Sequence, residues 1–236
     1  MGCIMAKKQS SPPASNGRGD ATREKLLDAS IGVFGRYGFD GASTRMLADA
    51  AGVNLQAITY YFGSKEGLYL ATADHIAGLI SSHVGGLRGR VRARLAEAAS
   101  GGGAIDRQEA QAFLTELTQT MATLFIGPIS EPLARFLIRE QMEPTEAFER
   151  IFSQVMKPML EAATMLVGIM LGEDGASRHV RLRTLSLLGS LMVFRVAHAA
   201  VKRHLAWDTI GADEVETVRR HAGELVAALA AEGGRS

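Results

Sequence analysis

The run Ser43-Thr44-Arg45-Met46-Leu47-Ala48-Asp49-Ala50-Ala51-Gly52-Val53-Asn54-Leu55-Gln56-Ala57-Ile58-Thr59-Tyr60-Tyr61-Phe62-Gly63-Ser64-Lys65-Glu66 is patterned for two short helices that cross in close contact. Ser43 and Asn54 suit helix N-termini, where a short polar side chain accepts from the free N–H groups of the first turn. Helices that cross near a right angle need a small residue at the contact, and Ala48 supplies it. The turn between them calls for a glycine, and Gly52 is there. Ile58, six residues later, plugs back against the first helix. The spacing Ala48, Gly52, Ile58 is that of a helix-turn-helix, whose second helix aims its N-terminal residues into a DNA major groove. Leu55, Gln56, Ala57, Thr59 and Tyr60 face outward from it. No acid stands between Asp49 and Glu66, which suits a surface that meets a polyanion.

Upstream, Asp20 or Thr22 can cap a helix that carries Leu26, Leu27, Ile31, Phe34 and Tyr37 at helical spacing and ends at Gly38. Residues 1–19, with Lys7, Lys8, Pro12 and Pro13, read as a disordered arm. Residues 20–66 read as the DNA-binding domain and 67–236 as a larger C-terminal domain. A fourth helix starts at Gly63-Ser64, runs through Leu68, Ile76 and Leu79, and weakens around Gly85, Gly86 and Gly89. Past the Gly101-Gly102-Gly103 loop the periodicity predicts helices at about 107–126, 129–142, 145–171, 176–203 and 213–232. The expected fold is all-α: three short helices carrying the reader, then a helical bundle, about nine helices in all.

Composition agrees. Of 236 residues 47% are hydrophobic and only 6% aromatic, and strand-like alternation is scarce. Residues 1–65 hold eight Lys and Arg against five acids, a mildly basic balance. The single cysteine, Cys3, excludes an internal disulfide, and no apolar leader is visible, so a cytoplasmic protein is expected. The apolar stretch Leu185–Val201 contains Ser186, Ser190, Arg195 and His198. A central arginine costs about 2.5–3.5 kcal/mol in a bilayer, so a buried helix and no membrane contact are expected. The six histidines lack metal-ligand spacing, and no nucleophile elbow, phosphate-cradling loop or paired carboxylates occur. Neither catalysis, a metal nor a cofactor is expected. The basic run Arg88, Arg90, Arg92, Arg94 reads as a solvated surface, with contact to DNA flanks as the alternative.

The segment from Ala50-Ala51-Gly52-Val53 through Tyr61-Phe62-Gly63-Ser64-Lys65-Glu66 resembles the TetR/AcrR family of bacterial regulators over about residues 22–72. The resemblance implies that Thr44 and Arg45 meet a phosphate and a base edge, and that Leu55, Gln56 and Ala57 face bases. It also implies that Tyr60 and Tyr61 donate hydroxyls to phosphates and that Lys65 pairs with one. Thr59 stands where that family commonly has tyrosine, which shortens any phosphate contact there. Val53-Asn54 with the run Tyr60–Tyr69, then Arg139-Glu140-Gln141-Met142-Glu143-Pro144 and Lys157-Pro158-Met159, resemble the CecR branch. The implied function is repression of a nearby transport or efflux gene, relieved by a small ligand.

Two further expectations come from the residues. The helix at 176–203 is apolar nearly all round, through Leu185, Leu188, Leu191, Met192, Val196 and Ala199, so it must be covered on two sides. With the stripe Val215, Val218, Ala222, Leu225 and Leu229 of the last helix it predicts a homodimer on double-stranded operator DNA. A hydrophobic effector is expected between the helices at 107–126, 129–142 and 145–171, lined by Met121, Phe125, Phe136, Phe148, Phe152 and Met156. Arg139, with Arg135, Glu140, Gln141 and Glu143 near it, would orient the ligand. The bland alternative makes Glu131, Arg135, Arg139 and Glu143 an exposed charge ladder. Competing functional classes are a ligand-independent DNA-binding activator or nucleoid-type protein, and an enzyme or carrier with a vestigial reader.

Overall fold

The computed structural model describes residues 16–127 and 130–234, and no strand occurs among them. Most of the expected arm, with Cys3, lies outside the described residues, as does Pro128. Three helices make the reader: α1 (Asn16–Gly41), α2 (Thr44–Ala51) and α3 (Gln56–Phe62). α1 is broken at Gly38, whose φ of 72° and ψ of −179° are non-helical, and resumes for three residues. α4 spans Lys65–Ala99, followed by α5 (Arg107–Ile126) and α6 (Ser130–Met142). α7 is the run Glu146–Leu171, α8 is Arg178–Val196, α9 is His198–His204 and α10 is Ala212–Gly233.

The helix starts follow the capping chemistry. Ser43 accepts from Met46 N (3.2 Å), Ser64 from Gly67 N (3.0 Å), Asp106 from Glu109 N (2.8 Å) and Ser177 from Val180 N (3.1 Å). Three differences from the expected elements have physical causes. α4 does not weaken at its glycines but runs unbroken for 35 residues, roughly 50 Å at 1.5 Å per residue. Val84, Leu87 and Val91 are buried on its inner face, and packing overrides the low helix propensity of Gly85, Gly86 and Gly89. α7 contains a π turn at Phe152–Met156, just ahead of Pro158, which lacks an N–H and crowds the carbonyl four residues back. The helix expected over 176–203 is two, α8 and α9, bent by 84° around Ala197.

Two apolar cores form. One joins Leu26, Ile31 and Phe34 of α1, Leu47 and Ala48 of α2, and Ile58 of α3 to Leu68, Tyr69 and Ile76 of α4, Phe136 of α6 and Ile151 of α7. The other is built by α5, the end of α7, α8, α10 and the C-terminal half of α4, through Leu87, Val91, Leu114, Leu166, Leu191 and Val226. α4 therefore belongs to both. Among the described residues the run 146–171 is long and apolar enough to cross a bilayer. Its Ala163, Leu166, Val167 and Met170 are buried in the second core.

Candidate nucleic-acid interface and effector cavity

Ala48 and Ile58 are both 2% exposed and lie in one core, so the two helices of the motif meet through them. Gly52 ends α2 at φ 64°, a conformation that side chains resist, and the backbone N–H of Val53 turns back to Ala48 O (3.0 Å). Asn54 Oδ1 accepts from Gln56 N at 2.8 Å and fixes the start of α3. The outer face of α3 is then free: Leu55 is 50% and Tyr60 81% exposed, and Gln56 and Thr59 are exposed as well. Ala57 is half-buried against the core. Arg45 is exposed and Thr44 half-buried at the opening turn of α2. Tyr61 is half-buried, its ring packed edge-on to Tyr60 with centroids 4.8 Å apart. Tyr60 thus stands on the outer face, while Tyr61 packs partly against the core.

Lys65 has a job that the sequence does not reveal. Its Nζ donates to Phe39 O at 2.9 Å and Ala42 O at 3.1 Å and lies 4.2 Å from the Phe39 ring centroid. Two of its three donors thus hold the end of α1 to the start of α4, and the third remains for a phosphate. Lys65→Ala is expected to lower the melting temperature and to reduce the salt slope of DNA binding by about one unit. Lower stability with an unchanged slope, measured by anisotropy at several salt concentrations, would assign Lys65 to the scaffold alone.

The cavity differs from the expected one. An apolar hollow of about 310 Å³ opens between α4, α5 and α7, lined by Val84, Leu87, Val91, Phe113, Met159 and Met165 among others. Its wall includes Val155 from the first core and Leu166 from the second, so it sits on the seam between them. None of the predicted lining residues touches it. Met121 is buried in the second core, with Phe125 packed partly against it. Phe136 is 1% exposed in the first core, its ring 5.1 Å from Tyr69, and Met156 packs on the same core. Phe148 and Phe152 stack on each other at 5.6 Å, and Phe152 lines a neighbouring, more open hollow of about 890 Å³ that shares Glu161 and Met165 with the first. Arg139 is exposed, its guanidinium beside Gly38. This hollow is walled by α4, α5 and α7 and not by α6, which packs on α1 instead. The charge-ladder alternative holds for Glu131 and Arg135, an exposed pair at 2.7 Å.

Two more features bear on function. Leu182, Leu185, Met192, Val193 and Val196, all on α8, are 39% to 59% exposed, an apolar face left open among the described residues. Among the described residues no three His, Cys, Asp or Glu side chains gather as a metal site would need.

Comparison with known proteins agrees with this geometry. Residues 26–72 match the model of bacterial regulatory proteins of the tetR family. Residues 110–233 match that of the C-terminal domain of the HTH-type transcriptional dual regulator CecR. The chain is 32% identical over 208 residues to the HTH-type transcriptional dual regulator CecR of Shigella flexneri, covering 88% of this chain and 91% of that one. It shares its fold with the transcriptional regulator FadR of Bacillus subtilis in complex with stearoyl-CoA, at a TM-score of 0.54 and 17% identity over 86% of this chain and 96% of that one. The multidrug binding protein EbrR complexed with malachite green is similar at a TM-score of 0.51 and 18% identity, over 88% of this chain and 96% of that one.

Proposed function

The chain belongs to the TetR family of bacterial transcriptional regulators, in the branch of CecR, and from that premise we propose that it is a ligand-responsive repressor. The family is one of regulators, not enzymes. In this reading the protein acts in the cytoplasm as a homodimer, binds a palindromic operator through α2 and α3, and releases it when a small hydrophobic effector enters the cavity. Thr44, Thr59, Tyr60, Tyr61 and Lys65 serve the phosphates and backbone register, while Arg45, Leu55, Gln56 and Ala57 meet base edges.

The observation that carries the reading is the double membership of α4. Its N-terminal half is fixed to the reader by Leu68, Tyr69 and Ile76 and by the His75–Asp28 contact at 2.8 Å. Its C-terminal half walls the cavity and is tied to α5 by Arg94–Glu109 at 2.6 Å. An occupant that favours one placement of that half shifts the dimer toward the matching separation of its two readers. The effect is limited to the difference in the ligand's affinity for the two states.

Selection of duplexes from a random pool by the full-length protein tests this. The expected product is an inverted repeat whose half-sites lie one turn, about 34–36 Å, apart. Arg45→Ala and Gln56→Ala should each relax one or two positions at about 1–3 kcal/mol. Gradual, sequence-independent binding would overturn the reading in favour of a nucleoid-type protein. The Shigella flexneri relative is by name a dual regulator, so transcription from a selected site with and without the protein separates repression from activation.

A further inference from the structure

The basic run on α4 is divided by the fold. Arg90 pairs with Glu116 and Arg94 with Glu109 on α5. Arg88 and Arg92, one helical turn apart, both line the cavity, and among the described residues neither enters an ion pair. The rest of the wall is apolar except for Ser81 and Glu161, so two guanidinium groups and one carboxylate border a hollow otherwise lined by aliphatic side chains, Phe113 and methionines. Both arginines are exposed, and so is Glu161. They therefore stand at the mouth, where a charged head can stay partly hydrated while an apolar tail goes inside.

We propose that this cavity takes an apolar acid, a single-chain carboxylate whose tail fills the hollow and whose head is held by Arg88 and Arg92. The inference rests on the cavity being the effector site and adds the chemistry of the effector. The guanidinium fork matches a carboxylate with paired N–H donors, which a neutral or cationic head cannot use. At about 310 Å³ the hollow is at the lower end of ligand pockets, which suits one chain of medium length. Glu161 disfavours the same head, so it tunes affinity downward and lets the ligand leave.

Titration calorimetry with the full-length protein tests the assignment with sodium decanoate, decanol and decyltrimethylammonium, each below its aggregation threshold. Decanoate is expected to bind at least about tenfold more tightly than decanol, and the cation more weakly than either. The double variant Arg88→Gln, Arg92→Gln should keep its ligand-free melting temperature and bind decanoate and decanol alike. Glu161→Gln should tighten decanoate several-fold. Equal binding of the three probes by the unaltered protein, no decanoate binding, or an anion preference that survives the double variant would each overturn the proposal. Operator release is read separately by anisotropy. Anion-selective binding without release would leave the site standing and remove its regulatory role, so the two readings fail independently.

Discussion

Exchanging Leu185 and Met192 together for glutamate is expected to yield a folded monomer whose operator affinity has fallen by roughly 10²–10⁴-fold. The basis is the outer face of α8. Leu187, Leu188 and Leu191 of the same helix are buried in the second core, and the opposite face carries Leu182, Leu185, Met192, Val193 and Val196 in the open. Single exposed apolar side chains are ordinary, but a row of five along one helix is a surface that needs a partner. Gly189 and Ser186 lie in the middle of that row, small enough to let a second helix approach. In a two-fold assembly each residue added to one protomer is added to its partner, so two glutamates become four buried like charges. The inner face is untouched, and each protomer should keep its fold. Loss of affinity follows because two half-sites held by one dimer profit from effective concentration, and a monomer has a single reader. Sedimentation and anisotropy check it; a variant that still sediments as a dimer at micromolar concentration moves the interface elsewhere.

The second large effect lies in the first core. Glu140, only 2% exposed, accepts from the Tyr69 hydroxyl, from Thr145 Oγ1 at 2.8 Å and from Thr145 N at 3.2 Å. One carboxylate thus joins α4 to the corner between α6 and α7. Glu140→Ala is expected to cost about 3–5 kcal/mol, because it leaves a buried hydroxyl and a backbone N–H without acceptors and opens a void beside them. Glu140→Gln keeps the shape and an acceptor and should lose less than half of that. Urea denaturation measures both, and a loss below about 1 kcal/mol for the alanine variant would mean that water replaces the carboxylate. The Tyr69 hydroxyl is pushed well above its ordinary ionisation range, first by burial and then by the bond to Glu140. A group raised in the folded state contributes its full stability below its unfolded value, about pH 10, and loses it as pH climbs further. This bond therefore weakens only at strongly alkaline pH.

The helix-turn-helix was legible because its information is local. Caps, a positive-φ glycine and a plugging isoleucine all lie within sixteen residues, and each acts on its neighbours. The same is true of α5, whose limits follow from Asp106 and Gly127. The walls of the cavity were not legible, since they depend on which helix lies on which. Nothing near Phe136 says that it meets Tyr69, 67 positions earlier, rather than a ligand. The bend around Ala197 was missed because neither proline nor glycine marks it, and Glu140 was hidden because a glutamate between Arg139 and Gln141 reads as surface. The pairing of Arg90 and Arg94 with α5 is likewise tertiary, and only it singles out Arg88 and Arg92.

The glycines of α4 carry one more consequence. An added Cβ would meet nothing within 4 Å at Gly78, Gly85 or Gly89, so close packing does not require glycine there. Each costs the helix about 1 kcal/mol relative to alanine, and three of the four in this helix beyond its first turn fall at 85, 86 and 89, beside the cavity. Although packing keeps the rod unbroken, its intrinsic helix propensity is lowest near the midpoint, so its amides there are expected to open to solvent more readily than those held in either core. A molecule that rests against Val84, Leu87 and Val91 makes such opening rarer. The two ends of α4 can then become more firmly correlated even when their average positions barely move, and the occupant's signal travels as a loss of conformational entropy.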